Sequence, residues 1–145
     1  MPTMLKISEA ATLALHTAFF LVTNPDRRLT TREMASTMGA SEAHLSKVLQ
    51  RLVHAGLVES VRGPKGGFAL AKDPRAITLL NVFEVIDGTL TPETCLLNRS
   101  VCGDGQCILG GLIETVNSLG RSRMAETTLA DIGKNGGGND SNAVA

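Results

Sequence analysis

Apolar positions recur along this chain in a few sharply bounded runs. SEAATLALHTAFFLV, from Ser8 to Val22, is apolar around most of a helical circumference and predicts a first helix. Ser8 is placed to cap it, and Glu9 puts a negative charge in the first turn, where it suits the helix dipole. TNPDRR breaks the pattern at Pro25. TTREMASTMG predicts a shorter second helix, capped by Thr30 or Thr31 and ended at Gly39. In ASEAHLSKVLQRLVHAG, Leu45, Val48, Leu49, Leu52 and Val53 fall at i, i+3, i+4, i+7 and i+8, a stripe that predicts a third helix running from an N-cap at Ser41 to Gly56.

The period then changes. LVESVRGPKGGFALA places Leu57, Val58 and Val61 on a short strand, RGPKGG on a turn and FALA on a returning strand. Two helices joined by the short MGA turn, followed at once by a basic-tipped hairpin, make a winged helix-turn-helix. ITLLNVFEVIDG predicts another amphipathic helix, capped by Thr78 and stopped by Gly88. Beyond position 107, Leu109, Leu112, Ile113, Val116 and Leu119 return to helical spacing. Gly110, Gly111 and Gly120 each weaken that long helix by roughly 1 kcal/mol relative to Ala, so it needs something to pack against. GKNGGGNDSNAVA is polar and glycine-rich and predicts disorder. The fold class is mainly α with a small β-hairpin wing and a long C-terminal dimerisation helix. The divisions are 4–90 for the DNA-binding domain, 91–107 for a loop, 108–132 for the dimerisation helix and 133–145 for the tail.

Composition refines this picture in three ways. Hydrophobic content of 43% in 145 residues supports one real core, but with no Trp, no Tyr and four Phe that core is aliphatic. Stacking platforms for single-stranded nucleic acid are almost absent. Net charge is zero, yet residues 26–75 carry nine Lys/Arg against five acids, a local excess of four. Such a segment suits an anionic partner, although an ordinary solvated surface gives the same count. No secretory signal is legible, and ATLALHTAFFLV is too short to span a bilayer and carries His16 in its middle. A cytoplasmic protein with no membrane partner is expected.

In a winged helix the second helix of the motif enters the major groove of duplex DNA by its N-terminal end. The candidates there are Ser41, Ala43, His44, Ser46 and Lys47, with Arg51 one turn beyond Lys47 and positioned to straddle the backbone. Arg62 and Lys65 at the wing tip suit phosphates or a neighbouring minor groove. Lys47 and Arg51 are otherwise solubilising charges, and His44 is otherwise a packing or surface residue. One such domain has a small footprint, so a symmetric homodimer on a palindromic operator is expected.

Every cysteine lies in ETCLLNRSVCGDGQC: Cys95, Cys102 and Cys107. Their spacing fits neither a thioredoxin-like CxxC nor a zinc finger. Three thiolates from one loop suit an iron–sulfur cluster or a labile metal with a fourth ligand from elsewhere. A redox-switching thiol pair such as Cys102 with Cys107, or three inert thiols, stays open on the residues alone.

A winged helix, RGPKGG, a three-cysteine loop and an apolar helix together resemble the Rrf-two superfamily of bacterial transcription regulators. LQRLVHAGLVESVRGPKGGFALAKDPRAITLLNVFEVIDG is highly typical of it, and the likeness covers about residues 4–132. The resemblance implies a homodimeric DNA-binding protein, not an enzyme. It implies a cluster, 2Fe–2S ahead of 4Fe–4S, on Cys95, Cys102 and Cys107. The fourth ligand departs from two family patterns. A His three positions after the last cysteine is here Gly110, and an acidic residue on the partner subunit's first helix is here Thr12. A third pattern, a His one turn later on that helix, is matched by His16, with Glu9 on the same face behind it. The expected function is therefore cluster-governed operator binding. The rivals are a metal-free thiol/disulfide switch on the same fold and an interaction module that binds a partner enzyme.

Overall fold

A computed structural model describes residues 6–90, 95–97, 99, 101–103 and 107–136. In chain order the elements are α1 (Glu9–Thr23), α2 (Thr31–Met38), α3 (Glu42–His54), β1 (Val58–Val61), β2 (Gly67–Leu70), a 3-10 turn (Pro74–Ala76), α4 (Leu79–Asp87), α5 (Leu112–Glu126) and α6 (Leu129–Gly136). Local chemistry accounts for the helix starts. The Ser8 hydroxyl accepts from the Ala11 N–H at 3.0 Å, and Ser41 accepts from His44 N–H at 3.2 Å. Thr30 with Glu33 and Thr78 with Asn81 form reciprocal capping boxes. The backbone N–H of Thr30, with Arg27 beside it, holds the Glu33 carboxyl below its usual range.

The core is aliphatic. Leu29, Met34, Leu45, Leu49, Leu52, Ile77 and Val82 are all essentially sealed from solvent. Leu45, Val48, Leu49 and Leu52 are the buried residues of α3, so its hydrophobic stripe faces inward as the spacing requires. α1 packs against α4, α3 and α6.

The wing is antiparallel, pairing Val58 with Leu70, Glu59 with Ala69, Ser60 with Phe68 and Val61 with Gly67. Leu29 adds a third, one-residue rung: its N–H donates to Phe68 O at 3.0 Å and its carbonyl accepts from Phe68 N–H at 2.8 Å. The two glycines of RGPKGG follow from this geometry. A Cβ on Gly66 would sit 2.2 Å from the Val61 carbonyl oxygen. Gly67 has φ +140°, and a Cβ there would sit 2.8 Å from the Leu29 carbonyl oxygen, so the backbone approach excludes any side chain.

The C-terminal region departs from the single long helix expected over 108–132. α5 starts at Leu112, ends at Glu126, and is followed by a break at Thr127–Thr128. There the chain forms a bridge to Thr78, with Leu79 N–H donating to Thr127 O and Leu129 N–H to Ile77 O, both at 2.9 Å. Thr128 then caps α6: its hydroxyl accepts from Asp131 N–H, while the Asp131 carboxylate accepts from Thr128 N–H. Two threonines that can pair as a strand and cap a helix outcompete helix continuation. α6 folds back on α1, and Leu129 is 0% exposed. The winged-helix core is thus completed by residues far beyond position 90. The stretch 133–136, expected to begin a disordered tail, ends α6; 137–145 lie outside the described residues.

Candidate nucleic-acid interface and cysteine loop

The capping Ser41 sets the start of α3, and the burial of Leu45 and Val48 sets its roll. Ala43, Lys47, Gln50 and His54 are consequently exposed along one line of the helix, with Ser46 half-buried beside them. Ser41 is exposed but its hydroxyl is occupied as the cap. His44 is half-buried, with Nδ1 3.8 Å from a carboxylate oxygen of Glu9 at the start of α1. Arg62 and Lys65 are exposed at the wing tip. Helix end and wing tip thus present Lys47, Arg62 and Lys65 to solvent, while Arg27 and Arg28 nearby are engaged with Glu33 at 3.0 Å and Glu59 at 3.9 Å.

Arg51 makes a contact that the sequence did not suggest. Its Nη2 donates to the carbonyls of Val85 at 3.0 Å and Ile86 at 2.7 Å. These are among the carbonyls that the end of α4 leaves without helical partners, at the negative end of its dipole. Arg51 lies one turn from Lys47, is exposed, and turns its Nη2 toward α4. Gln50 was not singled out in the sequence. It is polar, exposed and in line with Lys47, and a Gln amide can bond adenine through two atoms. The signal available was its position outside the apolar stripe.

Cys95, Cys102 and Cys107 are free thiols, each half-buried. Two of the sulfurs accept backbone N–H groups from two residues on: Leu97 N–H reaches Cys95 Sγ at 3.5 Å and Leu109 N–H reaches Cys107 Sγ at 3.4 Å. Among the described residues of one chain, no three metal-capable side chains converge. Among the described residues, His16 and two of the thiols do not form such a group within one chain. Glu9, Thr12 and His16 are all exposed on one face of α1. His16 Nδ1 lies 2.7 Å from the Thr12 carbonyl. A carbonyl only accepts, so Nδ1 is the donor, and Nε2 is the ring nitrogen left for another partner.

Around the loop, Leu96, Leu97, Val101 and Ile108 are exposed, and Leu112, Val116 and Leu119 continue an uncovered apolar line along α5. No side chain of α5 is fully buried, and Met124 near its end packs partly against the core. No described helix is long and apolar enough to cross a membrane.

Helix-turn-helix, wing and exposed reading face define a winged-helix DNA-binding protein. A family model described as "Iron-dependent Transcriptional regulator", the Rrf2 family, matches residues 7–135. The chain belongs to the Rrf2 family, the superfamily its sequence resembles, and it is a transcriptional regulator. It is 33% identical over 128 residues to a putative HTH-type transcriptional regulator of Aquifex aeolicus, covering 86% of this chain and 89% of the relative. Its structure is similar to CymR, the global cysteine regulator of B. subtilis, with TM-score 0.75, 27% identity and coverage of 91% and 98% of the two chains. It is also similar to T. potens IscR, with TM-score 0.71, 28% identity and coverage of 92% and 89%.

Proposed function

We propose that this regulator binds a palindromic operator as a homodimer and that its affinity is set by an iron–sulfur cluster, 2Fe–2S in preference to 4Fe–4S. Cys95, Cys102 and Cys107 supply the thiolates, and His16 of the partner subunit is the fourth ligand. The observation that carries this reading is the pair of N–H···S contacts at Cys95 and Cys107. Donors aimed at ligating sulfurs orient them and spread their charge. The donor set fits the group: three soft sulfurs in one loop, plus an imidazole whose Nδ1 is anchored and whose Nε2 is open. When bound, the cluster supplies an electron acceptor and a target for nitric oxide or oxygen.

The chain's own residues do the rest. Ala43, Ser46, Lys47 and Gln50, with His44 and Ser41 at the helix start, face the major groove. Arg62 and Lys65 hold flanking phosphates. The uncovered line along α5 is the dimer face, because apolar surface left in water there is stabilised by a second copy. A ligand supplied across the dimer makes cluster state and subunit geometry one variable, and hence the spacing of the two reading heads.

The test is anaerobic purification followed by visible absorbance with iron and sulfide assays. Brown protein with matched iron and sulfide, bleached by oxygen or nitric oxide, is the expected result. Protein that stays colourless after attempted reconstitution overturns the cluster. The second reading is then a metal-free thiol switch, favoured by three free thiols that are each only half-buried.

A further inference from the structure

The last turn of α4 is gripped from several sides. Arg51 of α3 donates to Val85 O and Ile86 O. On the next residue, Asp87 Oδ1 accepts from the Ser8 hydroxyl at 2.6 Å, which ties the same turn to the start of α1. One turn earlier, Glu84 pairs at 3.1 Å with Arg121 of α5, and Arg121 also reaches Leu90 O at 3.5 Å. Gly88 ends α4, and the chain runs on from there toward Cys95. The reading helix, the helix that carries His16, the apolar α5 and the entrance to the cysteine loop therefore meet within two turns of one short helix.

We propose that this turn relays the state of the cysteine loop to the reading helix, with Arg51 as the positioning residue for α3 and Asp87 as its counterpart toward α1. The physical argument is one of stiffness. A two-carbonyl clamp by one planar guanidinium fixes direction as well as distance. A rotation of the α4 end pulls Arg51 and shifts α3 as a body, which changes where Lys47 and Gln50 sit relative to the wing. Burial of Leu45, Leu49 and Leu52 holds α3 as one body, so a displacement at Arg51 is passed along the helix rather than absorbed. Two rigid elements joined by a directional contact are what coupling between sites requires.

The inference rests on the reading that the cysteine loop governs DNA affinity, and the test separates the two. Full-length wild type, R51M, R51K and D87A are each prepared with cluster and without. The probe is a labelled duplex enriched from a random-sequence pool by the wild-type protein. The readout is the ratio of dissociation constants for the two forms. Wild type is expected to give a ratio of about 5- to 150-fold. R51M brings it to within about twofold of unity, R51K restores part of it because an ammonium still reaches the carbonyls, and D87A lowers it independently. A merely structural role weakens both forms alike and leaves the ratio standing. R51M that keeps the wild-type ratio overturns the relay, and if R51M does not fold, D87A at the wild-type ratio overturns it. A wild-type ratio of one overturns the governing role of the loop and the relay together.

Discussion

Replacing Gly66 with Ala tests the wing as both a structural and a DNA-binding device. The added Cβ lands 2.2 Å from the Val61 carbonyl oxygen and 2.9 Å from the Gly63 carbonyl oxygen. Both are backbone atoms, so no side chain can swing away. Relief requires opening the turn, which costs the Gly66 N–H bond to Gly63 O at 2.9 Å and the terminal Val61–Gly67 pair. Two hydrogen bonds at about 1 kcal/mol each give a loss of about 2 kcal/mol. For a chain of this length that lowers Tm by roughly 4–8 °C. The opened tip also carries Arg62 and Lys65 away from the duplex. Each lost phosphate contact removes about 0.9 from the slope of log affinity against log salt, so a dimer losing two cations per subunit loses about 3–4. The assays are a circular-dichroism melt and fluorescence anisotropy on duplex DNA between about 50 and 200 mM salt. Gly120→Ala, where nothing lies within 4 Å of the new Cβ, is the control and leaves the salt slope unchanged. A wild-type Tm in G66A refutes the steric argument. A lowered Tm with an unchanged slope refutes the phosphate contacts of the wing.

Other outcomes follow from the same structure. Cys102→Ala abolishes the visible absorbance of anaerobically purified protein while the far-ultraviolet dichroism stays helical, and His16→Ala weakens cluster retention in an iron-release assay; full retention in both sinks the ligand set. Leu129→Ala, at a fully buried site, destabilises by about 2–5 kcal/mol in urea titration, whereas an independent 4–90 domain predicts almost no effect. Lys47→Ala weakens binding across all sequences and lowers the salt slope by about one per subunit; a change confined to one base position instead assigns Lys47 to base reading. The Asp73 carboxyl, bonded to the Arg75 side chain and N–H, is held down to about 2. A depressed carboxylate contributes stability that is present above its unfolded value and lost as pH falls through the folded one. The loss therefore falls between the ordinary value of 3.8 and about 2, it is absent in D73N, and carboxyl-resolved NMR titration checks it.

The helices through α4 were legible in the sequence because their information is local. Ser8, Thr30, Ser41 and Thr78 cap by contacts three residues away, and the stripe from Leu45 to Leu52 states which side of α3 is dry. The wing was legible for the same reason, since glycines at a hairpin tip carry their own geometric meaning. The crowding of three thiols into one loop and the likeness to the Rrf-two superfamily were also plain in the chain itself.

Tertiary structure alone decided the rest. Arg51 reads as a surface cation one turn from Lys47, and only the approach of α4 supplies the two unpartnered carbonyls that claim it. Leu129 reads as part of the long dimerisation helix over 108–132. Only the pairing of Thr128 with Thr78, fifty residues back, breaks that helix and drives Leu129 into the core. Caps, stripes and turns are short-range physics and can be read along a chain. The satisfaction of a helix end by a distant guanidinium is a long-range event, and it exists only once the backbone has brought the two together.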